Sequence, residues 1–421
     1  MKPTHARSWV VVFGVTLAIL SYIDRICISQ TSPLIARDLG LNKAQIGSIF
    51  GVFLLSYGLF EIPGSWYGDL VGPRKGLLRI VAGWSAFTAL TGLAWSFYSM
   101  IAVRFLFGVG EAGAFPMITK SFTTWLPKRE RTRAQGILWM SARWGGAFTP
   151  LLVVWVLRYV SWRGSFVLFG SLGLIWAFFF YRWYRDNPAE HPSVNAGELA
   201  LLKGISTAPG ERPHVPWKKL LGSRSVQLLS LQYFFVSFSW YFYLTWLPTY
   251  LQEHHKLTSG QSAQYAVFPL LFCGFGSLFC GTVSPYIGRR IGIPRMRRLM
   301  ASTGFLGAGL FLMLATTMPT VGLTMAAMAA ACFFNDQVIP NSWASTMDIG
   351  GKYAGSVAGT MNLMGNLAGT ASSVFGGYLL QRTGGDWNLF IRVLAGVYLL
   401  GLFCWPFIDT QTSLDDTEAA A

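Results

Sequence analysis

The sequence predicts an all-α integral membrane protein of twelve transmembrane helices, arranged as two pseudo-symmetric bundles of six. Three observations carry that expectation. Of 421 residues, 52% are hydrophobic and only 12% charged, against about 25% charged in soluble domains, and the mean hydropathy is +0.43. One apolar helix would not produce such values. The apolar residues fall into about twelve runs, beginning near residues 9, 44, 77, 99, 134, 162, 226, 262, 297, 319, 352 and 387. Each run approaches the roughly 20 residues of helix that cross a ~30 Å hydrocarbon core. Finally, a polar stretch from Asp186 to Ser225, with Pro188, Pro192, Pro209, Pro213 and Pro216, separates the runs six from six. Its composition reads as a linker, with a short helix expected around Gly197 to Lys203.

The first run, from Trp9 to Ser29, carries two charges side by side, Asp24 and Arg25. Each ionised group near the bilayer centre costs at least ~2.5–3.5 kcal/mol on insertion scales, so such groups pair or face a wet cavity. Only Met1 to Ser8 precede the run and no small-residue cleavage site follows it. It is therefore expected to be a retained helix and not a signal peptide. After the second run comes a Gly64, Asp69, Gly72, Arg74, Lys75 loop, and after the eighth comes Gly281 to Arg290. Gly64 and Gly281 lie 217 residues apart; Trp125 and Trp343, each placed at the end of a run, lie 218 apart. Near-equal offsets of half the chain indicate a duplicated six-helix unit. Paired halves that rock about a midplane site are a transporter architecture. The expected domains are residues 1–185, a linker at 186–225, and residues 226–421.

In the fourth run Arg104 and Glu111 are seven residues apart. They share a helix face but are separated by about 10.5 Å of rise, too far to pair with each other. Asp24 and Arg25 are the candidate partners, and Tyr22 shares the face of Arg25. The fifth run holds Arg143 near mid-depth, and the second holds Glu61. The C-terminal half offers neutral polar groups: Gln232 on span seven, Asn335, Asn341, Ser342 and Trp343 on span ten, and Asn362 and Asn366 on span eleven. Such amides suit the hydroxyls of a polyol or sugar acid, and equally glue helices together. Asp336, deep in span ten, reads either as a second proton site or as a partner for a buried amide.

The net charge of +15 raises nucleic acid as a partner, and its distribution answers the question. With the N-terminus inside, the expected cytoplasmic segments hold 22 cations and the external ones six, the positive-inside bias that sets orientation. A multi-pass inner-membrane protein with both termini cytoplasmic is expected, with no nucleic-acid partner. Five scattered cysteines give neither a disulfide framework nor metal spacing. Gly108, Gly110 and Gly113 satisfy a dinucleotide pattern, but no strand precedes them and they sit in an apolar helix. No nucleophile–base pair or metal set points to an enzyme, so no catalytic residue, metal or cofactor is expected.

The Gly64-to-Lys75 loop resembles the signature of the major facilitator superfamily. A finer resemblance is to its anion:cation symporter branch, which includes galactonate, glucarate and hexuronate carriers and sialin-type carriers. It rests on Tyr22, Asp24 and Arg25, on Tyr57 with Ile62, Pro63 and Gly64, and on Arg104 through Glu111 to Pro116. Further matches are Trp125 to Arg131, Thr245 to Tyr250, and Asn362. The resemblance covers almost the whole chain outside the linker. It implies a proton-coupled symporter that imports an organic anion, such as a hexonate, hexarate or hexuronate, by alternating access. It also implies that Asp24 and Glu111 couple protons, that Arg25 contacts the substrate carboxylate, and that Tyr22, Tyr57, Arg104, Ser342, Trp343 and Asn362 line the site. Asp69, Arg74 and Lys75 would fasten the cytoplasmic gate; Pro285 stands where the second copy would have its aspartate.

Two departures matter. Arg143 and Glu61 stand where the resembling carriers have glutamines. Guanidinium groups suit bidentate carboxylate recognition, so Arg143 points to a more negative substrate such as a dicarboxylate. The alternative is that it neutralises Glu61. Likewise, Arg25, Arg104 and Arg143 against Asp24, Glu61 and Glu111 sum to zero, and form either a static network between helices or a switch. Burial disfavours a charged carboxyl, and protonating Asp24 and Glu111 would leave a doubly positive pocket. Other readings are a dicarboxylate or aromatic-acid symporter, an organophosphate or drug antiporter, or a membrane receptor without flux. The expected partners are a small organic anion, protons and the bilayer, with the protein itself a monomer.

Overall fold

The computed structural model describes residues 3–202, 217–350, 354–411 and 414, and these are helical, with no strand among them. The N-terminal helices are α1 (Ala6–Leu39), α2 (Lys43–Thr91), α3 (Phe97–Glu111), α4 (Ala114–Trp125), α5 (Lys128–Val156) and α6 (Trp162–Trp183). Two short linker helices follow, α7 (Ala196–Leu201) and α8 (Trp217–Gly222). The remainder are α9 (Arg224–Thr245), α10 (Leu247–Glu253), α11 (Ser259–Ile291), α12 (Ile293–Ala315), α13 (Val321–Gly350), α14 (Ala354–Arg382) and α15 (Trp387–Leu402). Among the described residues nine segments are long and apolar enough to cross a membrane. The second half of α2, α9 and α14 are helices that complete the twelve spans, and they are less apolar because small and polar residues interrupt them.

Three boundaries differ from the sequence reading. The second and third spans form one helical stretch, broken only at Gly72 (φ 78°, ψ 159°). That left-handed φ suits glycine alone. The fourth span is instead two helices: α3 ends at Glu111, and Gly113 (φ 88°) starts α4. Pro116 stands in the first turn of α4, where a missing N–H costs nothing. Gly64 of α2 packs on this break, and a Cβ there would lie 2.6 Å from the Ala112 carbonyl oxygen. Trp343 does not end its span, since α13 runs on to Gly350.

The chain forms two compact units, one of Met1–Ile35 with Leu55–Glu211 and one of Ala36–Leu54 with Arg212–Ala421. In the first, the linker clasps the start of α1. Glu198 is fully buried and accepts from the Thr4 hydroxyl at 2.5 Å, the Ala6 and Arg7 amides at 3.0 Å, and Arg7 Nη1 at 3.1 Å. It thereby satisfies amides that a helix N-terminus otherwise leaves unpaired. His191 wedges between Trp125 and Trp183, with ring centroids 5.3 and 4.5 Å away; burial pushes its imidazole below its ordinary value. A cavity of about 400 Å³ between this linker and Thr4, Ala6, Trp9 and Trp183 belongs to the clasp.

In the second unit the start of α2 packs on α14 through glycines. A Cβ at Gly47 would lie 2.4 Å from the Ser373 carbonyl oxygen, and one at Gly377 2.4 Å from that of Lys43. Lys43 Nζ pairs with Glu253 at 2.7 Å and lies 5.6 Å from the Trp387 ring. All five cysteines are buried, and none is in a disulfide.

Candidate functional site

The charged residues of the N-terminal spans converge. Asp24 (2% exposed), Arg104 (1%) and Glu111 (0%) are all buried. The α3 terminus aims Glu111 at α1, where Arg25 Nε donates to its Oε1 at 2.8 Å and Ser21 Oγ donates to the same oxygen at 2.5 Å. The neighbouring Oε2 has no hydrogen-bond partner among the described residues, and neither has Asp24 Oδ1. Unmatched buried carboxylate oxygens are costly, and a proton on the acid removes the charge that makes them so. Asp24 lies beside Trp84 and Thr88, within electrostatic range of Glu111 and Arg104. The Arg104 guanidinium lies 4.3 Å from the Phe107 ring.

Aromatic rings hold Arg25 in place. Its guanidinium carbon lies 4.5 Å from the Tyr57 ring and 5.8 Å from each of Tyr22 and Phe115. Phe115 stacks on Trp139 of α5 at 5.1 Å. Arg25 is thus presented with one edge on Glu111 and its faces on rings, the geometry in which Arg outperforms Lys for a carboxylate. Arg143 is half-buried on α5. Gly146, one turn along, packs against Tyr22, where a Cβ would sit 2.9 Å from the ring, so Arg143 is about 4.5 Å of helix rise from that contact. Glu61 is half-buried one turn beyond Tyr57 and acts electrostatically on it.

The polar residues of the C-terminal unit form their own cluster. Gln232 Nε2 donates to Ser342 Oγ at 3.0 Å, and Trp343 Nε1 donates to Tyr233 OH at 3.3 Å. Asn366 donates to the Asn362 carbonyl at 3.2 Å and accepts from Tyr241 OH at 3.1 Å. Gly365 brings α14 against Tyr233, whose ring would lie 2.6 Å from a Cβ.

Of the proposed gate residues, the side chain of Asp69 lies outside the described residues. Arg74 follows the Gly72 break. Its amide donates to Asp186 Oδ1 at 2.9 Å, and its guanidinium donates to the Tyr181 carbonyl at 3.1 and 3.0 Å. Burial raises the Asp186 carboxyl above its ordinary value, against the opposing pull of the Arg74 amide and guanidinium. Lys75 is exposed. Asp186, Ser21, Trp84, Thr88 and Phe115 were not singled out from the sequence. Ser21, four residues before Arg25, shares its helix face, and the same spacing joins Trp84 to Thr88; those were the available signals.

A model of the Major Facilitator Superfamily matches residues 15–373. The chain is 33% identical to a protein of Cupriavidus necator named a probable sulfoacetate transporter, over 96% of this chain and 94% of that one. It is 28% identical to a D-galactonate transporter of Escherichia coli, over 91% of each chain, and 28% identical to a hexuronate transporter of Bacillus subtilis, over 89% and 88%. In fold it resembles the crystal structure of a bacterial homolog of the human lysosomal transporter Spinster, with a TM-score of 0.73 at 20% identity, over 96% and 95% of the two chains.

Proposed function

The chain belongs to the Major Facilitator Superfamily, and from that premise we propose that it is a proton-coupled symporter importing an organic anion, a sugar acid, by alternating access. One observation carries the reading: the Arg25–Glu111 pair at 2.8 Å, with Glu111 fully buried and Arg25 partly so, and unmatched oxygens on Glu111 and Asp24. While Glu111 is ionised it occupies the guanidinium edge that a substrate carboxylate would need. A proton on Glu111 cancels that attraction and releases Arg25 from this pair, and a proton on Asp24 removes the neighbouring negative charge. The pocket then gains positive charge in step with proton uptake, and the arriving anion replaces Glu111 as the partner of Arg25. Release of the anion lets Arg25 return to Glu111 and expel the proton. Tyr57 and Tyr22 keep Arg25 oriented, while Arg104 offsets Asp24 and Glu111. In the C-terminal unit Gln232, Ser342, Trp343 and Asn362 serve the substrate's hydroxyl groups, and Arg74, Lys75 and Asp69 serve the gate. The protein works as a monomer in the inner membrane with both termini cytoplasmic.

Uptake into proteoliposomes tests the assignment, with D-galactonate, a hexuronate and sulfoacetate as labelled probes. Asp24→Asn and Glu111→Gln are expected to lose accumulation driven by a pH gradient while keeping exchange. Accumulation against a gradient by both variants overturns it. A second reading, a short dianion with one acidic group on Arg25 and the other on Arg143, is favoured by the third arginine and by the 33% identical relative named for sulfoacetate. A preference for sulfoacetate that Arg143→Gln abolishes would select it.

A further inference from the structure

Asp336 is fully buried near the middle of α13, and the coupling scheme above gives it no task. Ser277 of α11 donates to its Oδ2 at 3.0 Å, and Asn335 Nδ2 donates to its Oδ1 at 3.0 Å. Tyr398 of α15 donates to Asn335 Oδ1 at 2.9 Å. The phenol therefore fixes the amide with its NH₂ turned toward the acid. Both hydrogen bonds are donations into the carboxyl, which favour its ionised form, whereas burial within a span opposes that form. Opposed tendencies of this kind suit a group that takes up and releases a proton as its surroundings change, and not one locked in either state.

The groups packed around it leave the acid as the one that can titrate. Cys273 and Cys280 of α11, Cys332 of α13, Tyr243 of α9 and Tyr398 itself are buried, and thiols and phenols as side-chain types have ordinary values above physiological pH. Arg297 of α12 pairs with Asp348, twelve residues or about 18 Å of helix rise along α13. Arg392 of α15 is exposed, and Tyr378 and Arg382 lie at the far end of α14. Ser277 can also turn its hydroxyl to accept, more weakly, from a protonated Asp336, so both states are hydrogen-bonded without backbone movement, the ionised one more strongly.

We propose that Asp336 is a second proton site, in the C-terminal unit, which binds and releases one proton in each transport cycle independently of Asp24 and Glu111. The buried hydrogen-bonded chain from Tyr398 through Asn335 to Asp336 positions it. Transport then moves one proton more per anion than the N-terminal cluster accounts for, and the added site does not touch the anion.

Infrared titration of the purified full-length protein, without substrate, tests the site itself. On acidification from about pH 9 to about pH 5, the carboxylic-acid carbonyl band should grow by a component that Asp336→Asn lacks. Ser277→Ala should move the midpoint of that component toward alkaline pH by about half to one unit, the worth of one hydrogen bond to the ionised acid. A band unchanged by Asp336→Asn overturns the proposal, as does a component present at every pH. If Asp336→Asn fails to fold, an unshifted midpoint in Ser277→Ala overturns it instead. This readout needs no transport, so its failure is distinct from failure of the coupling scheme. In proteoliposomes, the proton-to-anion ratio measured with D-galactonate or sulfoacetate should fall by one in Asp336→Asn, with Glu111→Gln as the separate arm for the N-terminal cluster.

Discussion

Glu111→Gln replaces the acid that holds Arg25 with a neutral amide of the same shape, and so imitates its protonated state. In the wild-type protein the Arg25 Nε–Glu111 Oε1 contact is 2.8 Å and fully shielded on the Glu111 side. Charges about 4 Å apart at an effective dielectric near 20 attract by about 4 kcal/mol, so an anion rarely displaces an ionised Glu111. If one proton must bind before the anion does, the anion affinity falls about tenfold for each pH unit on the alkaline side, or 1.36 kcal/mol per unit. The sign follows from linkage: the anion-bound form holds the extra proton, so raising the pH favours the empty form. Calorimetric titration at a series of pH values should therefore show the wild-type affinity falling as the pH rises. In Glu111→Gln the affinity should stay much closer to the wild-type acidic value, because no ionised Glu111 competes with the anion for Arg25. Exchange should survive and accumulation should not. A variant whose affinity still falls tenfold per unit would refute the switch, and one that binds no anion at any pH would make Glu111 a structural prop.

Arg25→Ala should abolish anion binding at acidic as well as alkaline pH. Arg25→Lys should retain about one-tenth to one-hundredth of the affinity, losing a charge-assisted hydrogen bond and the planar contact with Tyr57. Gly113→Ala should lower the thermal midpoint in detergent, since a Cβ at φ 88° costs about 1–2 kcal/mol. Burial alone would raise the Glu198 carboxyl, but hydrogen bonds from Thr4 and from the Arg7 and Ala6 amides outweigh it and hold the carboxyl below its ordinary value. Its contribution is thus complete above the unfolded value of about 4.3 and is lost as the pH falls through the lower folded value. Glu198→Gln should melt a few degrees below wild type at neutral pH, and the gap should close in acid.

The twelve spans were legible because the physics that makes them is one-dimensional: a bilayer demands length and apolarity, and both are countable. The partnership of Arg25 with Glu111 was also within reach. A charge in a span needs a partner, and seven residues of helix put Arg104 out of range of Glu111. What pattern did not reveal was where helices stop. The second and third spans meet at one non-helical residue, Gly72, with no loop between them, although the stretch around it is rich in Gly and Pro. The fourth span breaks after Glu111 although the apolar run continues to Phe122. Gly113 and Pro116 marked that break, but small residues in apolar helices more often mark close packing. The break matters to the site, since it leaves Glu111 at a helix end facing Ser21 and Arg25.

The repeat marks where sequence symmetry and packing part company. The sequence offset pairs Gly64 with Gly281, yet a Cβ at Gly64 would meet the Ala112 carbonyl oxygen at 2.6 Å while one at Gly281 would meet nothing within 4 Å. The duplicated glycine has kept a steric duty only in the half whose fourth span is broken, next to Glu111. Gly64→Ala should therefore push α2 away from the break, lower the thermal midpoint and disturb the pH dependence of anion binding. Gly281→Ala should leave both unchanged and gain slightly from helix propensity. If the two substitutions behave alike, the glycine pair reflects shared ancestry alone, and the close approach of α2 to the Ala112 carbonyl does not help to set the Glu111 carboxyl in place.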